Sequence, residues 1–493
     1  MTLGQALPHD SSPLHVTGTA RYVDDVPLPE GTLHLAFGLS TVAHAEITAI
    51  DLSAVRASPG VVAVWSAEDI PDMPDCSPTA HDEPLLAVGK VHYVGQQVFL
   101  VAATSHLAAR KAARLGRVTT RALPALLTVD QALAANSRFE AGPVIWTKGD
   151  AARAIISAPH QTQGEMEVGG QEHFYLEGQV AAAIPQEDGM LILSSTQHPT
   201  EIQHKVAHAL HLPMAAVRVE TRRMGGGFGG KESQGNALAV ACAIAAKATG
   251  RPCKLRYDRD DDMVITGKRH DLKIRYKVGF DGTGRVLGLD FVHLMRCGWS
   301  QDLSLAVADR AMLHADNCYH LPDLRIESHR LKTNTCSATA YRGFGGPQGI
   351  LGIERVMDHI AHMVKRDPLE VRRMNFYRGM APNGPGTGRR IGGTYAAHPA
   401  QFAPQTTPFH MEVEDFIADA MVDRLATEAD YAGRRTVVAE WNARNPILKK
   451  GLSLVPIKFG ISFTLSFLNQ AGALVHVYQD GDRKSTRLNS SHQ

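Results

Sequence analysis

A chain of 493 residues is too long for one ordinary domain and suggests about three. Its 51 Lys+Arg against 50 Asp+Glu leave a formal net charge of +1, so no global basic field recommends a nucleic-acid partner. With 44% hydrophobic and 20% charged residues it can bury a sizeable core, while its longest apolar run, Ala237–Ala246, is about half a bilayer span. The first ten residues carry neither the basic nor the apolar region of a secretory signal. Cys76, Cys242, Cys253, Cys297, Cys318 and Cys336 form no C-x-x-C pair, which argues against a disulfide framework, a cysteine zinc site or a self-contained iron–sulfur cluster. Together these features point to a cytoplasmic protein with no membrane span.

Along the chain, strands and helices alternate. Thr32–Ser40 reads as a strand with Leu33, Leu35 and Phe37 at period two, and Val61–Trp65 and Val98–Ala102 as short buried strands. Ser105 is placed to cap a helix over His106–Leu115, with Gly116 at its C′ position. Pro124–Asn136 reads as a linker with one short helix. From Pro143 to about Met380, strand–helix units include a hairpin, Lys273–Phe280 and Arg285–Leu294, turned by Asp281-Gly282-Thr283-Gly284. Asp367-Pro368-Leu369-Glu370 has the pattern of a capping box. Pro382–Thr407 reads as an exposed loop, Val413–Asn445 as helical and Leu452–Tyr478 as strand-rich. The class is α+β (α/β), in three parts.

Glycines concentrate the chemical signal. Met224-Gly225-Gly226-Gly227-Phe228-Gly229-Gly230-Lys231-Glu232 follows a strand (Val217–Arg222) and precedes a helix expected over about Ser233–Thr249. Such a loop lets a ligand approach the backbone amides, and a helix N-terminus favours an anion. The loop matches G-x-G-x-x-G, but its strand carries Arg218, Glu220 and Arg222, and the nearest suitable acid, Asp258, lies 28 residues past Gly230. Both features disfavour a nicotinamide site, whose acid sits about 20 residues on. A second loop, Tyr341-Arg342-Gly343-Phe344-Gly345-Gly346-Pro347-Gln348-Gly349, repeats Gly-Phe-Gly-Gly and leads into an apolar-striped helix; Phe344 is either a core residue or one face of a flat-ligand site. His204 and His208 are spaced to clamp a metal, yet no H-E-x-x-H surrounds them, and exposed helix histidines are the simpler reading. No nucleophile elbow and no P-loop occurs.

These two loops, with Gly169–Glu177, Lys458–Thr464 and Phe467–Tyr478, resemble the molybdenum-binding subunit of bacterial xanthine dehydrogenases, of the xanthine/aldehyde oxidase family. Pro8–Asp25 and Val94-Gly95-Gln96 resemble that family's α/β hammerhead domain. The resemblance implies a hammerhead domain over residues 1–123, a linker over 124–142, and a first molybdenum cofactor-binding domain over 143–380. It also implies an incomplete second such domain over 381–481 and a foreign-looking tail over 482–493.

The activity implied is hydroxylation of purines (hypoxanthine to xanthine to urate) with oxygen from water, on a molybdenum–pterin cofactor (molybdopterin). Electrons would leave through 2Fe-2S and FAD on a small partner subunit, in a dimer of heterodimers, toward NAD or oxygen. Gln197, Phe228 and Arg342 would stand beside the molybdenum without ligating it, with Gly229 bordering the cofactor. Phe344 and Phe463 would clamp the purine, Thr464 would neighbour it, and Glu232 and Arg310 would hydrogen-bond its polar edge. The family's general-base glutamate lies beyond this chain, so the resemblance implies no catalytic residue here and an inactive fragment. An aldehyde oxidase or other molybdenum hydroxylase, and a non-catalytic binding or assembly module, stand as alternatives.

Overall fold

The computed structural model describes residues 4–378, 405–414, 416–477, 479 and 483–488. The strand and hairpin expectations hold with small changes of bounds. Leu33–Leu39, Val61–Trp65 and Gln97–Ala103 are strands, and Leu272–Phe280 pairs antiparallel with Val286–Gly298. The Pro382–Thr407 loop lies outside the described residues up to residue 404.

Two large sheets organise the molecule. The first has seven strands in the order Val217–Glu220, Gly189–Ser194, Val180–Gln186, Cys253–Arg256, Leu33–Leu39, Gln97–Ala103, Val61–Trp65. Leu33–Leu39 pairs in parallel with Cys253–Arg256, Leu33 opposite Cys253, so strands from the two ends of the first half of the chain share one ladder. Behind it packs the helix Asn236–Thr249. Its sequence is largely apolar, which suits deep burial: Leu238, Val240, Cys242 and Ala246 are 0–1% exposed, while Lys247 and Ala248 face outward at its end. The second sheet has five strands, ordered Val144–Lys148, Asp323–Lys332, Val286–Gly298, Leu272–Phe280, His160–Val168. Its inner face carries Ile274, Val278, Phe291 and Ile326 against helices Ser304–Leu313 and Gly346–Val364, whose Ile353, Met357 and Ile360 present one apolar stripe.

Several local expectations change. Ser105 caps its helix through Ala108 N–H (3.2 Å), but the helix ends at Ala113. Gly116 lies against the Phe99 ring, where a Cβ would come within 2.3 Å; close packing, and not a left-handed turn, explains that glycine. The helix after the first glycine loop starts at Asn236, not Ser233, because residues 228–235 spend themselves on consecutive turns. Asp367 caps Leu369 N–H (2.8 Å), and its other oxygen pairs with Arg435 at 2.8 Å. Glu370 makes no return bond to the cap among the described residues. Val413–Asn445 resolves into two helices, Ala418–Glu428 and Tyr431–Arg444.

Within Leu452–Tyr478, Gly472–Val477 is the one strand among the described residues, paired with Arg483–Leu488 from the segment read as a foreign-looking tail. Residues 449–465 instead run as a strap without a ladder. Side chains dock it: Asn317 donates to Pro456 O (2.9 Å) and accepts from Lys458 N–H (3.0 Å). The Lys458 ammonium meets the buried Asp316 carboxylate.

Candidate functional site

Phe228, Gly229, Arg342 and Phe344 come together because the two glycine loops touch. Arg342 N–H donates to Phe228 O (2.9 Å). Gly229, at φ +95°, lies so close to the second loop that a Cβ would stand 2.7 Å from Ala340 O. Only glycine fits both the left-handed backbone and that approach. Phe228 and Phe344 are themselves left-handed (φ +54° and +50°), a conformation costing on the order of 1–2 kcal/mol in a residue with a Cβ. Strain of this kind, repeated at one place in both loops, is a mark of a functional backbone.

Gln197 holds the first loop from beneath. Its Oε1 accepts from Gly229 N–H (2.9 Å) and Lys231 N–H (3.2 Å), and a Cβ at Gly227 would collide with it at 2.5 Å. That leaves the amide nitrogen as the group's donor end. The N–H groups of Gly226, Gly227 and Phe228 make no hydrogen bond among the described residues. Phe228 itself is 46% exposed.

Sequence reasoning gave no role to the residues that brace this loop. Lys231, with no exposed surface, donates to Glu177 O (2.8 Å) and Ser195 Oγ (2.7 Å) and lies 4.6 Å from the Tyr175 ring centre. Burial draws its pKa down to about 8. Glu177 Oε2 accepts from Gly225 N–H at 2.7 Å. His173 Nε2 lies 2.7 Å from Ala340 O, and burial lowers the ring's pKa to about 4, so it stays neutral. The run Gly169–Glu177 therefore cross-links both loops. Its signal in the sequence was a buried-type lysine inside a glycine loop, which is uninformative without the partner.

The residues expected to recognise a purine lie on four separated segments. Phe344 and Phe463 stand with ring centres 5.0 Å apart at 51°, an inclined aromatic pair. Arg310, 4% exposed, has its guanidinium carbon 5.4 Å from the Phe344 ring centre and 5.3 Å from that of Phe459. It donates to the carbonyls of Gly460 (2.8 Å), Ile461 (3.4 Å) and Ser462, and forms no ion pair among the described residues. Burial lowers its pKa while the Glu232 charge opposes that. Its Nε–H is buried without a partner. Thr464 donates to Ala306 O (2.7 Å), so its hydroxyl is anchored to the helix that carries Arg310. Glu232 is half-buried; desolvation, with Asp302 and Glu201 adding to it and His198 and Arg310 opposing it, lifts its carboxyl to about 7. His204 and His208 lie exposed on the helix Pro199–Leu210 with rings 5.9 Å apart, and no carboxylate joins them as a ligand cluster among the described residues.

A fold of this kind around paired glycine loops has relatives. Family models match in three stretches: "Aldehyde oxidase and xanthine dehydrogenase, a/b hammerhead domain" over residues 17–124, "Molybdopterin cofactor-binding domain" over 135–376, and a further molybdopterin cofactor-binding domain over 424–485. Xanthine dehydrogenase of Drosophila subobscura is 41% identical over 482 residues, and xanthine dehydrogenase/oxidase of Felis catus 39% over 481. Each alignment takes in 97% of this chain, which spans only 34% of those proteins' length. Among solved structures, quinoline 2-oxidoreductase from Pseudomonas putida 86 superposes with TM-score 0.79 at 25% identity, covering 99% of this chain and 63% of that one. Aldehyde oxidoreductase from Desulfovibrio gigas gives 0.77 at 26% identity, covering 97% and 51%. The chain belongs to the aldehyde oxidase and xanthine dehydrogenase family of molybdenum-cofactor proteins.

The residues present suit that cofactor. The Gly226, Gly227 and Phe228 N–H groups, without partners among the described residues, and the Gln197 carboxamide lie on one loop and are donors suited to an anionic, oxygen-rich group.

Proposed function

We propose that this chain forms the cofactor-holding and substrate-recognising part of a molybdenum hydroxylase acting on purines, with a partner that carries 2Fe-2S and FAD to take the electrons away. The single observation carrying the purine reading is the inclined Phe344–Phe463 pair with Arg310 and Glu232 around it. The molybdenum cofactor, when bound, supplies the two-electron oxidation and oxygen transfer; the protein's part is recognition and orientation. Gln197 offers an amide donor and the Gly226–Phe228 backbone its N–H groups to that cofactor, with Gly229 and Arg342 bordering it.

On the substrate side, the half-buried Phe344 ring, with Phe463 packed against it, offers a face or an edge to a planar heterocycle. Such contacts contribute about 0.5–1.5 kcal/mol beyond burial. Arg310 gives a permanent cation to an exocyclic oxygen in a desolvated pocket. Glu232, with its carboxyl near neutrality, can donate to or accept from a ring nitrogen according to pH. Thr464 stays on its Ala306 anchor and borders the ring.

The discriminating experiment is calorimetric titration of the full chain with hypoxanthine and with benzaldehyde. Hypoxanthine should bind more tightly. Phe344→Ala should weaken it about 3–10-fold, and Arg310→Met about tenfold or more. A preference for benzaldehyde unaffected by Arg310→Met would replace the purine reading with an aldehyde oxidase; no binding of either would favour an assembly module.

A further inference from the structure

Asp302 sits 1% exposed at the entry to the helix Ser304–Leu313, in a left-handed conformation (φ +44°). Its two oxygens take four donors. Oδ1 accepts from Thr339 Oγ1 (2.7 Å) and Leu303 N–H (2.6 Å); Oδ2 accepts from Ser233 Oγ (2.6 Å) and Gln234 Nε2 (3.0 Å). No cation pairs with it among the described residues. A carboxylate buried with no counter-charge is costly, and it is retained here by a full set of donors, which is the arrangement that makes such a group tolerable.

The donors come from three separate places, and each leads directly to a recognition residue. Ser233 follows Glu232. Leu303 caps the helix Ser304–Leu313 that presents Arg310, and lies in the same apolar cluster as Phe463. Thr339 precedes Ala340, whose carbonyl meets His173 and fits against Gly229, and the chain then runs on through Arg342 to Phe344. Gln234 reaches past Asp302 to accept from Gly267 N–H (2.7 Å).

We infer that Asp302 is the positioning residue that fixes Glu232, Arg310 and Phe344 in one frame, so that the purine-recognising groups of three segments move as a unit. The inference rests on the purine reading for its ligand, though not for the frame itself. Burial pushes the Asp302 carboxyl up to about 6, with the bonds from Ser233 and Thr339 drawing it back.

The test compares Asp302→Ala, Asp302→Asn and a control, Asn375→Ala, in the full chain. Asn375 is equally buried and bonds Val286 N–H (2.8 Å), away from the site. Hydrogen exchange without ligand should accelerate together at residues 233–236, 303–306 and 339–345 in Asp302→Ala, partly in Asp302→Asn, and at none of them in Asn375→Ala. Hypoxanthine affinity should fall on the order of tenfold or more in Asp302→Ala, recover partly in Asp302→Asn and hold in the control, since small misplacements of binding groups are expensive. Exchange rising at residues 303–306 alone, or hypoxanthine bound equally well by Asp302→Ala, overturns the inference. If the unaltered chain binds no hypoxanthine, the purine reading fails and the exchange pattern alone decides the frame. If Asp302→Ala does not fold, Asp302→Asn carries both readouts.

Discussion

Glu232 sets the strongest residue-scale prediction. Its carboxyl titrates near 4.5 in an open chain and near 7 in the fold, because burial and the neighbouring Asp302 and Glu201 charges outweigh Arg310 and His198. The folded state therefore binds more protons between those values. This group's favourable contribution is full below about 4.5 and is lost as pH rises through about 7. Glu232→Gln should flatten the fall in stability over that interval relative to the parent, measured by urea denaturation at a series of pH values; parallel curves would refute the shift. Gly229 is the second case. Gly229→Ala would meet Ala340 O at 2.7 Å in a left-handed backbone, and should cost about 1–3 kcal/mol and lower molybdenum and pterin content in the loaded protein.

At the scale of elements, the strap at residues 449–465 matters most, because it brings Phe463 to Phe344. It has no ladder, so its position rests on side chains and on the carbonyls held by Arg310. Removing the ammonium in Lys458→Met leaves Asp316 buried and uncompensated. A loss of about 3–5 kcal/mol is expected, with faster proteolysis near Ile457–Ile461 and weaker hypoxanthine binding. Arg310→Lys is informative here as well: a lysine keeps the charge but cannot span three successive carbonyls, so Phe463 should lose order even though the cation remains.

For the whole molecule, the parallel pairing of Leu33–Leu39 with Cys253–Arg256 makes the N-terminal hammerhead region and the cofactor-binding region share one sheet. Ser300 Oγ also donates to Glu83 (3.2 Å) and Gln301 N–H to Asp82 (2.8 Å), tying the same two regions beside Asp302. Unfolding of the two should therefore be a single transition: the fluorescence of Trp65 and that of Trp299, each kept as the only tryptophan in turn, should lose their folded signals at the same urea concentration. Separate midpoints would show two independent domains.

Much of the fold is legible in the sequence. Hydrophobic period two located Leu33–Leu39, and the Asp281–Gly284 turn located its hairpin, because each signal lies within a few consecutive residues. The motif resemblance singled out Gln197, Phe228, Glu232, Arg310, Phe344 and Phe463. What failed was equally local in kind: Leu452–Tyr478 has strand-like apolar content, yet most of it finds no strand partner and becomes a strap.

The sequence by itself determined the elements, the family and the types of residue available to the site, since these depend on side-chain chemistry and short-range periodicity. Only the tertiary structure decided that Lys231 and Glu177 brace one loop, that Arg310 holds the strap, and that Ser233, Leu303 and Thr339 meet on Asp302. Apart from the bond of Leu303 to its neighbour Asp302, these join residues tens to more than a hundred positions apart. Their energies depend on burial and on partners that no stretch of sequence contains.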